Sequence, residues 1–383
     1  MNNSKQVYYW SPFIDRVATI KAVYNSFQSL KKYSKGYLDP KIIDAFGEWK
    51  NETNYNLKKD DCYGLCDLKF INKISSYGFF KSRFKYILIF IACFFPLKNL
   101  LKLKKPDYLI IHLITSLPLI LNLLFTFDTK IILRISGKPQ LNFIRKFFWK
   151  ITLKKIFKVT FPTIETMDYF KQLNLVEQEK LTLLYDPVLS IKEIKENFEE
   201  DEIEEPYLVN KKFFLAIGRL TKQKNFNFLI DCFDKLLAKD NSINLVIIGK
   251  GENYQYLKNK IYKNRLNKNI FLVGYKKNVF KYLKKSEAFI LSSLWEDPGF
   301  VIIEAMYSNT FVISSDCKSG PKEMLENKRG VLFKNNSKSD FIEKFNYYSK
   351  LDKKHKFKVK VEAKKFTKEF TLYKHYIKIK NIL

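Results

Sequence analysis

The sequence predicts an α/β fold, two Rossmann-like domains whose parallel sheets face an interdomain cleft. Three observations point there. The second half alternates short apolar strands with helical segments in strict order, the pattern of a parallel sheet with right-handed crossovers. At 383 residues the chain exceeds the usual size of a single core. Composition then turns sharply acidic over Lys192–Pro206 (KEIKENFEEDEIEEP), which marks a connection between two halves. The expected division is a first domain over 1–190, a linker over 191–208, a second domain over 209–364, and a last helix over 365–383 packing back toward the first domain.

Hydrophobic residues make up 46% of the chain, ample for two cores. The formal charge is +30, yet only seven of the 69 basic residues are arginine. That lysine bias reads partly as genome composition and dilutes any inference from charge. A basic surface fits nucleic acid, an anionic membrane or phosphorylated substrates. No zinc-finger spacing or RNP-type segment is present, which argues against nucleic acid as a partner. The five cysteines are irregularly spaced; Cys62 and Cys66 lack further zinc ligands, and three histidines cannot supply them. A reduced, cytoplasmic chain is expected. MNNSKQVYYW has no apolar core of a signal peptide. The most apolar run, Tyr86–Pro96, is shorter than the roughly 20 residues a membrane span needs. It reads as a buried helix, with a membrane-lying helix as the alternative.

In chain order, Gln6–Trp10 reads as the first strand, Val17–Tyr33 as an amphipathic helix and Lys41–Ala45 as a second strand. The polar stretch from Asn51 to Lys73 reads as loop. Asp107–His112 is a buried strand that leaves His112 at its carboxyl end, where open α/β sheets bind ligands. Lys130–Arg134 is another strand, ending in Arg134-Ile135-Ser136-Gly137. Arg134 there suits phosphate or an acceptor; a purely structural role is the alternative for both His112 and Arg134. Phe143–Lys158 has six basic residues, no acidic ones and four aromatics before Lys150. Such a helix can lie on anionic lipid, or serve as a domain helix with a lysine-rich outer face. Lys158–Phe161 and Leu181–Tyr185 close the first half.

The second half offers strands at Phe213–Ile217, Leu245–Ile248, Phe271–Val273, Phe289–Ser292 and Phe311–Ser314. Gly218-Arg219-Leu220-Thr221-Lys222-Gln223-Lys224 follows the first of these directly. Gly218 permits the turn, Arg219 offers a planar fork for phosphate oxygens, and Lys224 a mobile point charge. Gly249-Lys250-Gly251 is a lone GxG without a third glycine, a poor nicotinamide site. Phe289–Tyr307 (FILSSLWEDPGFVIIEAMY) reads as strand, loop and helix, with Asp297 as N-cap and Pro298 at the first helical position. The positive helix end favours phosphate. Glu304 would lie about 9 Å inside that helix. With a diphosphate on the helix start, Glu304 can accept from ribose hydroxyls while Glu296 faces the group on the other phosphate. That geometry describes a nucleotide-sugar.

The pattern Glu296-x7-Glu304, followed by Ala305 and Met306, together with Gly218-Arg219-x4-Lys224, resembles the retaining glycosyltransferases of family 4, the group 1 type of bacterial surface-polysaccharide synthesis. The resemblance covers most of Phe213–Phe333 by motif and the first half in outline. It implies the GT-B fold and a sugar transfer with retention, from a nucleotide-sugar donor to a glycan or lipid-linked acceptor. It implies that Glu296, Arg219 and Lys224 carry the chemistry, and that Gly218, Gly274, Gly299, Phe300 and Glu304 complete the donor site. His112 resembles a histidine ending the matching strand of many relatives. Ser136 stands where several of them have a histidine, and Ser11-Pro12-Phe13-Ile14-Asp15 replaces their glycine-rich turn. No cofactor is expected beyond the co-substrate, UDP- or GDP-linked. No Asp-x-Asp motif occurs, so no metal is expected at the diphosphate. Peripheral attachment at the inner face of the cytoplasmic membrane fits the lipid-linked acceptors of such enzymes. The alternatives are a basic nucleic-acid-binding protein and an inactive membrane scaffold.

Overall fold

The structure, a computed structural model, describes residues 4–14, 18–50, 52, 55–66, 79–139, 141–199 and 202–383. Val17 and Asp15, assigned above to a helix and a turn, lie outside them, as does the whole 67–73 end of the polar stretch. The chain divides into one unit of Met1–Val188 with Leu372–Leu383 and a second of Leu189–Thr371.

The first unit carries a seven-stranded sheet in the order β3-β2-β1-β4-β5-β6-β7. Its strands are β1 (Lys5–Trp10), β2 (Leu38–Asp44), β3 (Cys62–Gly64), β4 (Tyr108–Ile111), β5 (Lys130–Arg134), β6 (Lys158–Phe161) and β7 (Leu181–Leu183). Every pairing is parallel. Its helices are α1 (Ala18–Tyr33), α2 (Phe79–Leu103), α3 (Ser116–Leu124), α4 (Phe143–Thr152) and α5 (Ile164–Leu173). Parallel strands are covered on both faces, which is why Val7, Tyr8, Tyr9 and Trp10 are all buried. One face packs Val7, Tyr9 and Ile110 against Val23 and Phe27 of α1 and against Tyr376, Ile379 and Ile382. The other packs Trp10, Leu109 and Leu133 against α2, α3 and α4 through Ile89, Leu97, Leu117 and Trp149.

The second unit begins with α6 (Ile191–Glu199) and holds a six-stranded parallel sheet, β10-β9-β8-β11-β12-β13. The strands are β8 (Phe214–Ile217), β9 (Leu245–Ile248), β10 (Ile270–Leu272), β11 (Phe289–Leu291), β12 (Val312–Ser315) and β13 (Val331–Phe333). Between and after them come α7 (Phe226–Leu237), α8 (Tyr254–Lys263), α9 (Phe280–Lys285), α10 (Phe300–Tyr307), α11 (Pro321–Leu325), α12 (Lys338–Lys350) and α13 (Lys353–Phe366). The last helix, α14 (Leu372–Lys380), belongs to the first unit.

Several boundaries are corrected. The stretch expected as a linker over 191–208 is a strap on the second unit. Phe198 meets Phe280 edge-on at 5.6 Å, and Glu204 and Glu205 both pair with Lys276 at 2.5 Å. Its acidity therefore serves to hold it against lysines. The returning helix starts at Leu372 rather than 365, because Phe366 lies under Arg329 and Phe370 is buried in the second unit. A short strand, β3, interrupts the stretch read as loop. The apolar run Tyr86–Pro96 is the middle of a 25-residue helix that continues through Pro96. From Arg83 to Leu103 that helix is long and apolar enough to cross a membrane by length and composition. The basic-aromatic helix, in turn, ends at Thr152, not Lys158.

Candidate functional site

In the second unit the carboxyl ends of β8, β11 and β12 gather two stretches far apart in sequence. After β8 the chain turns through Gly218 and Arg219 into a 3-10 turn at Lys222–Lys224. Gly249, after β9, is held at φ +152, and a Cβ on it would stand 1.9 Å from the Gly218 carbonyl oxygen. Only glycine tolerates that approach, so the Gly249 turn braces the Gly218 turn. After β11, Ser292 Oγ donates to the Lys224 carbonyl at 2.9 Å, and Leu294 N donates to the Gln223 carbonyl at 2.8 Å. Gln223 Nε2 returns a bond to the Trp295 carbonyl at 3.0 Å. The two loops are stitched together by bonds that all end on backbone carbonyls, which fixes the side chains they carry.

Those side chains meet directly. Lys224 Nζ donates to Glu296 Oε1 at 2.5 Å, with the two side chains 13% and 5% exposed. Ser293 Oγ donates to the same oxygen at 2.5 Å. Glu296 N is held by the Lys318 carbonyl at 3.1 Å, and Ser315 Oγ holds the Ser293 carbonyl at 2.7 Å. Arg219 is exposed beside them in sequence, with no ion pair or hydrogen bond to its guanidinium among the described residues. The site thus pairs a compact buried charge couple with a free, planar cation.

The start of α10 differs from the expectation. Asp297 and Pro298 lie in the loop, and the helix begins at Phe300 after Gly299 at φ +93. An acid-proline pair is a sound helix-start signal, but the left-handed turn at Gly299 comes between it and the first helical residue. A Cβ on Gly299 would stand 3.3 Å from Glu296 Cγ, so this turn is built against that side chain. Glu304, half-buried, is therefore four residues inside α10, about 6 Å along its axis instead of 9 Å. Gly274, at φ +75, follows β10 and its carbonyl accepts from Gly249 N at 2.8 Å. Gly218, Arg219, Lys224, Glu296, Gly299, Phe300 and Glu304 thus cluster at β8 and β11, with Gly274 linked through Gly249.

The acceptor-side candidates all belong to the first unit. His112 follows β4, while Arg134 ends the paired β5 and Ser136 lies just beyond it, beside the switch between β1 and β4. Arg134 is corrected to a structural residue. Its guanidinium is buried, donating to Asp186 Oδ1 at 2.7 Å and to the Leu184 carbonyl at 2.5 Å. His112 is buried too, and burial, then the neighbouring Arg134 charge, holds its imidazole well below the usual range. Its Nδ1 and the Ser136 hydroxyl are buried without hydrogen-bond partners among the described residues. Sequence reasoning missed Ser293, Asp186 and His375. Ser293 could have been found as a hydroxyl at a strand end; the other two are defined by packing. Among the described residues no three His, Cys, Asp or Glu side chains cluster as metal ligands.

Known proteins resemble this chain in sequence and in fold. Residues 197–366 match the family model of the glycosyl transferases group 1. An uncharacterized glycosyltransferase of Methanocaldococcus jannaschii is 34% identical over 247 residues, 58% of this chain and 58% of its own. The N-acetylgalactosamine-N,N'-diacetylbacillosaminyl-diphospho-undecaprenol 4-alpha-N-acetylgalactosaminyltransferase of Campylobacter jejuni is 26% identical over 64% of this chain and 68% of its own. These alignments leave about a third or more of each relative unmatched. Over 99% of both chains, the structure of Staphylococcus aureus TarM with Fondaparinux, alpha-GlcNAc-glycerol and UDP superposes at a TM-score of 0.69 and 14% identity. That likeness shows the fold. The chain therefore has the GT-B fold, and its residues 197–366 match the model of the glycosyl transferases group 1 family.

Proposed function

We propose that the chain is a retaining glycosyltransferase moving a sugar from a nucleotide-sugar to a glycan or lipid-linked acceptor, in the assembly of a cell-surface polysaccharide. The observation that carries this reading is the contact of Lys224 with Glu296 beside the exposed Arg219. Two motifs 72 positions apart converge in one place. Arg219 and Lys224 meet the charge that develops on the leaving diphosphate, stabilisation where it matters most. Glu296 orients hydroxyls of the transferred sugar, and Glu304 accepts from the ribose. The acceptor attacks from the leaving-group face. The Campylobacter relative is named for a diphospho-undecaprenol-linked sugar, which supports a lipid-linked acceptor and work at the inner face of a membrane. The S. aureus structure holds UDP, which makes uridine donors the first to try.

Calorimetric titration with UDP and GDP in the presence of chelator is the test. Binding of one of them without metal is expected; strict dependence on magnesium or manganese would overturn this account of the diphosphate site.

A further inference from the structure

We propose that the outward face of the α2–α3–α4 layer is a docking surface for an anionic lipid bilayer, with α2 lying in the plane of the bilayer rather than crossing it. This rests on the reading of the chain as a transferase working at a membrane, and it names the surface and its orientation.

The three helices form one layer on one face of the first unit's sheet, packed side by side in the order α2, α3, α4. Their outward positions are apolar where a water-facing layer would be polar. On α2, Phe84, Ile87, Ile91 and Phe95 recur at intervals of three and four residues, one stripe along the helix, and Ile91 and Phe95 are each 65% exposed. On α4, Phe143, Ile144 and Phe147 are exposed, Phe143 to 85%. Leu124 at the end of α3 adds to them. Large apolar side chains exposed in such number on one layer mark an interaction surface.

Charge decides among the occupants. Phe79–Leu103, Ser116–Leu124 and Phe143–Thr152 contain no aspartate or glutamate. Exposed Arg83 and Lys102 on α2 and Arg145, Lys146 and Lys150 on α4 supply cations only. A second copy of the same face would bring lysine against lysine with no acid to pair. An anionic bilayer supplies what the face lacks, negative headgroups above an apolar interior. The inward side of α2 decides the orientation. Ile89, Cys93, Leu97 and Leu100 are buried in the first unit's core, so a bilayer-crossing α2 would strip that core of a whole helix. An in-plane helix keeps the core side packed and sinks only the stripe.

The test is flotation of the full chain with vesicles of phosphatidylglycerol and phosphatidylethanolamine, or of phosphatidylcholine alone. Ile87→Glu/Ile91→Glu and Phe143→Glu/Phe147→Glu are run beside the wild type, with thermal melting and nucleotide titration on the same preparations. The wild type should float with the anionic vesicles, bind phosphatidylcholine at least tenfold less, and come off in alkaline carbonate. Each variant should lose binding tenfold or more while melting and binding nucleotide as the wild type does. Failure of the wild type to float, wild-type binding by the α2 variant, or resistance to carbonate would overturn the proposal. So would a wild-type dimer, seen by light scattering, that the α2 variant abolishes. Nucleotide titration is independent of flotation, so a chain that floats but binds no nucleotide defeats the proposed function and not the docking surface.

Discussion

Each unit holds a buried cation against a carboxylate: Arg134 with Asp186 at 2.7 Å, and Lys224 with Glu296 at 2.5 Å. The two pairs look alike, but the proposed function gives them different work. In the first, the arginine fork is spent inside the unit, on Asp186 and the Leu184 carbonyl, and both side chains are closed off. Burial raises the Asp186 carboxyl, and the Arg134 charge offsets that in part. In the second, the lysine is a single mobile charge in a turn, while Glu296 keeps a second donor, Ser293, when the lysine leaves. A diphosphate can replace Glu296 on Lys224 without stranding either charge. Burial alone does not separate a structural pair from a working one. What separates them is whether each partner has somewhere else to go.

The largest expected effect comes from breaking the closed pair. Asp186→Ala leaves Arg134 charged and enclosed, and should cost about 3–5 kcal/mol of stability, read from urea unfolding. Replacing both partners with apolar residues of similar volume should cost far less. A loss under about 1 kcal/mol for the single variant would mean that Arg134 escapes to water and is not the pin described.

Acid should act on the same region. His375 is buried, bonded to Ser26 Oγ at 2.8 Å and to the Tyr185 carbonyl, and burial depresses its imidazole to about 3. The unfolded chain takes up this proton near pH 6.5 and the folded chain does not. Stability is therefore complete above that value and falls as pH drops toward 3, by about 2 kcal/mol between pH 6.5 and 5. His375→Gln should flatten that dependence; an unchanged slope would assign it to other groups.

Glu304→Ala should weaken the bare nucleoside diphosphate roughly ten- to hundredfold, the value of a charge-assisted hydrogen bond of ~1.5–3 kcal/mol. Glu296→Gln gives the smallest shift and the opposite sign. With its carboxylate gone, Lys224 is free for the diphosphate, so the bare nucleotide should bind about two- to tenfold tighter. Turnover of the full donor should nevertheless fall. Bare-nucleotide binding abolished by Glu296→Gln and untouched by Glu304→Ala would reverse the donor's orientation.

Legibility in the sequence followed distance along the chain. The strands of the second unit and the residues at their ends could be read because each motif sits directly after an apolar run. β13, three residues long and without alternation, could not. The direct contact of Lys224 with Glu296 spans 72 positions and that of Ser26 with His375 spans 349, so neither leaves a local pattern. Arg134 misled for the same reason. A strand-end arginine looks available until Asp186 is folded onto it. In α2, Pro96 and the flanking lysines suggested a short run, but the helix keeps its ladder past the proline because its inner face is packed on the core.

The return of α14 to the first unit has a consequence for the order of synthesis. Tyr376, Ile379 and Ile382 complete one side of the core that Val7, Val23 and Phe27 begin. During translation, Met1–Val188 leaves the ribosome first, with α1 covering only part of that side until the chain past Thr371 has emerged. The second unit, one unbroken stretch from Leu189 to Thr371, has no such wait. The half that is made first is the half that finishes last.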